Sequence, residues 1–570
     1  MERLKQYDRW HHEFAKGDDV AAVRFESESG ATDERSAFLH QPTRFVYDRH
    51  GYESIEPVGG PRPAVRFTPV EVGATRWTAL ASDSSTVEEG TLEVSGADHP
   101  GYVEISRRDP RYFAATNGDS YCPIGVNLCW PLYYKLSKGT EFETTEERAT
   151  LGMEDFRRWF EAMAAAGGNY TRIWCAAPAL HTETERAGVL DLAAFARLDA
   201  IVELARKHGI RLKLCLEHFR IIEPGGPYHA YRRTHPAFCK TLRKPDGSPG
   251  PADIDEWFDS AAWRALWLKK VDAYTARYGD DPIVMCWELW NEINACKTRD
   301  WASQRDWTQA MLPELKKRSP RNLVVNSLGS FDTESKTEQY LDFHMPEMEF
   351  QQVHRYLDQG APLEVCHTDP VELSRDAVRR TRRSDRPILL TETGAVNDNH
   401  TGQFRYYRVD HDGLLLHDFV FAPFFEGAAG SGHSWFWEHY VEPHNLWHHL
   451  RPLHDLLDGI QLDAEGFEPF DRSEDRAWVL GLAGKRHVLL WVRSRADRWD
   501  RVLRDNKPAP RIEGLRVDLS DLGVDGATAQ IVPTWPSEPR NGDAPPTLRN
   551  DVLTVPGFTH GLAARIEKPQ

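Results

Sequence analysis

Two stretches of this chain end an apolar run in a carboxylic acid. The first reads Met285-Cys286-Trp287-Glu288-Leu289-Trp290-Asn291-Glu292, and the second, a hundred residues on, reads Pro387-Ile388-Leu389-Leu390-Thr391-Glu392. Packing gives a hydrophobic strand no reason to close on an amide and an acid. A parallel barrel does, because it presents its reactive groups at the C-terminal ends of its strands. Two acids delivered this way suit cleavage of a glycosidic bond. One, kept protonated, donates to the leaving oxygen; the other, kept ionised, attacks the anomeric carbon.

Other strand ends supply what such a pair needs. Arg172 and Trp174 close one apolar run, Glu217 and His218 a second, His354 and Tyr356 a third, and Trp435 and Trp437 a fourth. An adjacent guanidinium holds a carboxylate ionised, so Arg172 and Tyr356 are candidates to hold Glu392 charged. Apolar neighbours hold a carboxyl protonated, and Trp287 and Trp290 are expected to do this for Glu292. Asn291 is placed to bond a sugar hydroxyl. Indoles cover the apolar faces of pyranose rings, which suits Trp174, Trp435 and Trp437. Glu288 lies inside its strand. With period two it should point the way of Glu292 one layer deeper, as a buried partner. His444, His448 and His449 lack carboxylate company for a metal and read as a solvated helix start. No metal and no organic cofactor is expected.

The elements that must position these groups alternate between strand and helix. Apolar strand-like runs fall at 123–128, 169–175, 211–217, 283–290, 322–327, 349–356, 387–391 and 433–437. Amphipathic stretches fall at about 154–166, 192–208, 261–278, 301–317, 371–382 and 412–426. Eight such units predict an α/β fold with a (β/α)₈ barrel over residues 116–460. The longest insertion, 219–259, follows the third strand and would carry substrate contacts. Short strands between Gly, Pro and Asp turns predict an N-terminal β-sandwich over 1–115 and a C-terminal one over 461–570.

These residues carry a resemblance. The chain resembles clan A glycoside hydrolases, the (β/α)₈ retaining enzymes that include family 5. Asn291-Glu292 at the fourth strand is similar to that clan's acid/base motif, and Glu392 at the seventh to its nucleophile. Arg172, His354, Tyr356 and Trp435 fall where members carry groups around the reacting sugar. The resemblance implies a retaining β-glycosidase with Glu392 as nucleophile and Glu292 as acid/base. A transglycosylase using the same residues and a non-catalytic carbohydrate-binding barrel are the alternatives. The sugar, its linkage and the oligomeric state are left open.

Composition narrows the partners. A net charge of −17 argues against nucleic acid and anionic membranes and leaves carbohydrate as the expected partner. The densest basic run, Arg379-Arg380-Thr381-Arg382-Arg383, closes a helical pattern and reads as a solvated face. None of the eight cysteines forms a Cys-x-x-Cys pair, so they read mostly as buried thiols. No segment has the length of a membrane span, and Met1-Glu2-Arg3-Leu4-Lys5-Gln6 lacks a signal peptide's apolar segment. A cytoplasmic protein is expected, or a secreted or periplasmic one if a signal has been removed.

Overall fold

Eight chain segments run parallel, in sequence order, around a closed ring. In this computed structural model, which describes residues 2–135, 148–177, 179–184, 186–218, 242–296, 298–398, 400, 402–538 and 546–569, four of them form one sheet. These are Tyr170–Trp174, Arg211–His218, Val284–Asn291 and Leu323–Val325. The bonds from Glu349 N–H to the Val324 carbonyl and from Phe331 N–H to the His354 carbonyl lead on to Gln351–Leu357. That strand pairs in parallel with Ile388–Ala395. Parallel bridges Thr393–Ser434, Val126–Ser434 and Gly125–Tyr170 then close the ring.

The closing segments differ from the expectation. Residues 123–128 and 433–437 join the ring by single bridges and not as full strands. Crowding explains part of this. A Cβ on Gly125 would sit 1.9 Å from the Tyr170 carbonyl oxygen, so only glycine allows the two backbones this close.

Helices cover the ring between strands: Met153–Ala165, Phe195–His208, Ala261–Tyr278, Trp301–Arg318, Pro370–Thr381 and Leu414–Phe425. The expected helix signals are in place. Asp300 and Asp369 accept N-terminal backbone N–H groups of their helices, and Gly209 ends another with a left-handed φ of 68°. Leu414–Phe425 is buried on every side. One face meets the barrel; the other meets the C-terminal sheet through Trp491, whose indole stacks on Phe421 and Phe425.

The flanking strands form sheets of their own. Before the barrel, a five-stranded sheet and a three-stranded one enclose Trp10, Val23, Phe25, Val65, Phe67, Trp77 and Leu92. After it, Ala477–Ala483 and His487–Ser494 belong to a five-stranded antiparallel sheet. Period two divides that sheet's side chains. Trp478, Leu480, Leu482, Leu489 and Trp491 join the barrel's core, whereas Val479, Val488, Leu490 and Val492 face a separate one. The expected insertion at 219–259 lies outside the described residues up to 241. Its remainder carries the helix Ile254–Asp259.

Candidate active site

One guanidinium ties the site together. Arg172, fully buried in the Tyr170–Trp174 strand, donates from Nη1 to Glu392 Oε2 at 2.7 Å, from Nη2 to Asn291 Oδ1 at 2.6 Å and from Nε to Glu288 Oε2 at 2.7 Å. Two strands, Val284–Asn291 and Ile388–Ala395, are thereby held to a third. Tyr356 Oη donates to the other oxygen of Glu392 at 2.5 Å. His354 Nδ1 sits 2.9 Å from Glu292 Oε1 and 3.5 Å from Glu392 Oε2. One carboxyl oxygen of each Glu and a His354 nitrogen all lie within 4.8 Å of one another.

The two acids have opposite company. Burial pushes the Glu392 carboxyl above the ordinary glutamate value and the Glu292 charge adds to this, while Arg172 and the Tyr356 hydroxyl oppose the rise without cancelling it. Glu292 has no guanidinium against it. Burial pushes it up to about 7, with Lys336, His400 and Arg172 opposing from further off. Burial also lowers His354 to about 4, so its imidazole is neutral between the two acids.

Local backbone sets the aim of Glu292. The Val284–Asn291 strand stops at Asn291, and Glu292 takes a left-handed φ of 51°. Its N–H donates to Ser327 Oγ at 3.0 Å, which fixes the turn. Asn291 Nδ2 is buried and without a partner among the described residues, which leaves a donor for a ligand.

The strands do not alternate strictly as they reach the site. Glu288 and Asn291 both meet Arg172, three residues apart. Trp287, just before them, donates to Ser319 Oγ, and Trp290, between them, packs on Trp257, Phe258 and Trp307 in the helical layer. The period of two is therefore interrupted between Glu288 and Asn291, although the strand keeps continuous register with its neighbour there. Glu288 is the buried partner expected, but not by the period-two argument. Arg172 and Lys213 outweigh its burial and hold it down at about 2. The expectation that Trp287 and Trp290 would shield Glu292 fails: Trp287 points outward by the ordinary alternation from Glu288, and Trp290 by the interruption after it.

The neighbouring strand repeats the interruption. Glu217 pairs in register with Trp290, and His218 with Asn291. Glu217 accordingly turns away from the mouth and accepts from Lys270 Nζ at 2.8 Å and Trp267 Nε1 at 3.1 Å, both on the helix outside. Its expected contact with substrate is corrected to a buried ion pair. His218 faces inward and stacks on Trp174 with ring centroids 4.8 Å apart. Trp435 lies 5.1 Å from Trp174. Trp437 is fully buried behind Trp435 and Trp130, packed also on Trp159, so it supports the aromatic wall and offers no face to a sugar. His449 is likewise buried, bonded to the Asp412 carbonyl, and not the solvated group expected.

Several residues of the site escaped the sequence reading. Trp130, half-buried, joins Trp174 and Trp435 in the aromatic wall. Its position just past the first barrel segment was the available signal. Lys213 and Gln352 bond each other at 2.7 Å beneath Glu288. They carried no signal, because a buried lysine is ordinarily excluded from a strand pattern.

The family model described as Cellulase (glycosyl hydrolase family 5) matches residues 137–412. Mannan endo-1,4-beta-mannosidase 4 of Oryza sativa subsp. japonica is 26% identical over 181 residues, 30% of this chain and 37% of that protein. The chain therefore spans little more than a third of that relative's length. Among solved structures, a Bacteroides vulgatus ATCC 8482 protein shares the fold over 100% of both chains, with a TM-score of 0.57 and 13% identity. A glycoside hydrolase family 5 structure from the same organism reaches 0.50 over 82% of this chain and 94% of its own, at 12% identity.

Proposed function

Since residues 137–412 form a glycosyl hydrolase family 5 domain, we propose that the protein is a retaining glycoside hydrolase acting on β-1,4-linked mannosides. Glu392 attacks the anomeric carbon while Glu292 protonates the leaving oxygen. The ionised Glu292 then takes a proton from water, which releases the sugar with its configuration kept. One observation carries this reading: carboxyl oxygens of Glu292 and Glu392 lie within 4.8 Å of each other. Retention needs carboxyl groups about 5–5.5 Å apart, whereas inversion leaves room for a water at about 6.5–9.5 Å.

The unequal company of the two acids supports their roles. Direct bonds from Arg172 and Tyr356 favour an ionised Glu392. Burial favours a protonated Glu292. Asn291 is assigned to the hydroxyl next to the anomeric carbon, and Trp174, Trp435 and His218 to the wall against which the sugar lies. The mannoside follows from the rice relative's activity. The division at about 115 and 460 into two flanking β-sandwiches and a catalytic barrel is supported by the separate apolar cores at either end.

Hydrolysis of β-1,4-mannan and an aryl β-mannoside, followed by proton NMR, tests the proposal. The β-anomer should appear first and the α-anomer only by mutarotation. First appearance of the α-anomer would refute retention. Cleavage of a β-glucan or β-xylan with mannan untouched would refute the sugar.

A further inference from the structure

The acids of the site have a charged neighbour that neither the reaction nor the fold requires. On the loops beyond the strands, Asp332, Asp358 and His400 each offer an atom within 4.8 Å of the other two. His400 Nδ1 lies 2.6 Å from Asp358 Oδ2, and its Nε2 lies 3.8 Å from Asp332 Oδ2. The other oxygen of Asp358 accepts the Gly360 N–H at 2.9 Å, so Asp358 is itself fixed. Asp358 is almost wholly buried, whereas the His400 side chain is 43% exposed at the rim.

This cluster adjoins the catalytic pair. The His400 ring meets Tyr356 edge-on with centroids 6.3 Å apart, and Tyr356 holds Glu392. Asp332 follows Phe331, whose N–H bonds the backbone of His354, and His354 touches Glu292. Lys336 Nζ bonds Asp332 Oδ1 at 2.8 Å and is a second cation acting on Glu292, ahead of His400. His400 keeps a backbone φ of 60°, uncommon outside glycine, with its N–H on the Asn397 carbonyl.

We propose that His400, clamped between Asp358 and Asp332, is a positioning residue that keeps a positive charge beside Glu292. The inference rests on the acid/base role given to Glu292 above. Its chemistry follows from the two halves of the reaction. In the first half Glu292 must lose its proton to the leaving oxygen. In the second it must stay ionised long enough to accept one from water. A nearby cation favours the ionised form in both steps.

The groups facing His400 fix the sign. Asp358, Asp332 and Glu292 all favour its charged form and burial opposes them; Lys336, on the loop after Leu323–Val325, is the cation paired with Asp332. Asp358 also feels His367. His400 is raised above the ordinary histidine value, first through its bond to Asp358.

The test compares wild type, H400Q and H400R over pH with an aryl β-glycoside of poor leaving group. Loss of the cation should raise the basic limb of kcat/KM by about half to one pH unit. H400R should bring it back. A basic limb that H400Q leaves unmoved, in a protein of unchanged melting temperature, would overturn the proposal. Zinc or calcium raising the melting temperature of wild type but not of H400Q would overturn it too, by making the cluster a metal site. An E292Q variant run alongside separates the two claims. If E292Q keeps full activity on this substrate, the acid/base role fails; if only the limb fails to move, the role of His400 fails.

Discussion

Arg172 and Glu392 meet at 2.7 Å between Nη1 and Oε2, with the guanidinium buried completely. The same guanidinium bonds Asn291, which precedes Glu292. One side chain therefore sets both the charge of one acid and the backbone that aims the other. Its cost is met by Glu288, which supplies a second carboxylate at 2.7 Å.

Removing that second carboxylate should unfold more than it inactivates. In E288Q the Arg172 charge keeps one carboxylate partner where it had two, and Lys213 loses its ion pair at 3.5 Å. Breaking a buried pair of this kind costs about 3–5 kcal/mol. Chemical denaturation should show that loss at pH 7. Glu288 sits at about 2 against an ordinary 4.5. Its contribution is thus present above pH 4.5 and lost as pH falls towards 2, and the gap between wild type and E288Q should close in acid.

Glu292 has the opposite sign. Its folded-state value of about 7 stands above 4.5. Between these pH values the native protein holds a proton that the unfolded chain has released, so stability falls as pH rises through the window. E292Q removes the penalty. It should match wild type near pH 4 and exceed it by about 3 kcal/mol at pH 8. Thermal melts at the two pH values read this directly. Wild-type kcat/KM should fall above pH 7 as the acid deprotonates.

Tyr356→Phe removes one donor from Glu392. A hydrogen bond to a charged group is worth about 1.5–3 kcal/mol, so kcat/KM should drop about 10- to 150-fold. The acidic limb of the pH profile should move up, because the ionised form loses a partner. An acidic limb that stays in place would show that Tyr356 acts on the sugar and not on Glu392.

Glu217→Gln should separate stability from chemistry. Lys270 loses its 2.8 Å bond inside the protein, and the melting temperature should fall. The folded fraction should keep kcat/KM within about twofold, since Glu217 faces the helical layer. A large loss in kcat with normal stability would return Glu217 to the substrate.

Arg493 crosses from the C-terminal sheet to the barrel. It bonds Asp418 on Leu414–Phe425 at 2.6 Å and Asp497 at 2.5 Å, all buried. R493M leaves the buried Asp418 without its cation and Asp497 with His560 alone, and should cost about 3–5 kcal/mol. Limited proteolysis should then cut near residue 460 faster than in wild type.

The amino-acid sequence by itself determined which groups were candidates for the chemistry. Asn291-Glu292 and Glu392 were legible because an apolar strand that ends in an acid violates burial rules unless function accounts for it. The alternating units and the Arg, His and Tyr partners were legible on the same ground. Tertiary structure alone decided which way each side chain turned. A break in alternation, shared by the Val284–Asn291 strand and its neighbour without a shift of register between them, sends Trp290 and Glu217 outward and brings Asn291 and His218 in. The side-chain period of a strand is two, so a single break reverses every later assignment. No local pattern marks where that break falls. It is fixed by contacts across strands, above all the reach of Arg172 to three carbonyl-bearing side chains at once.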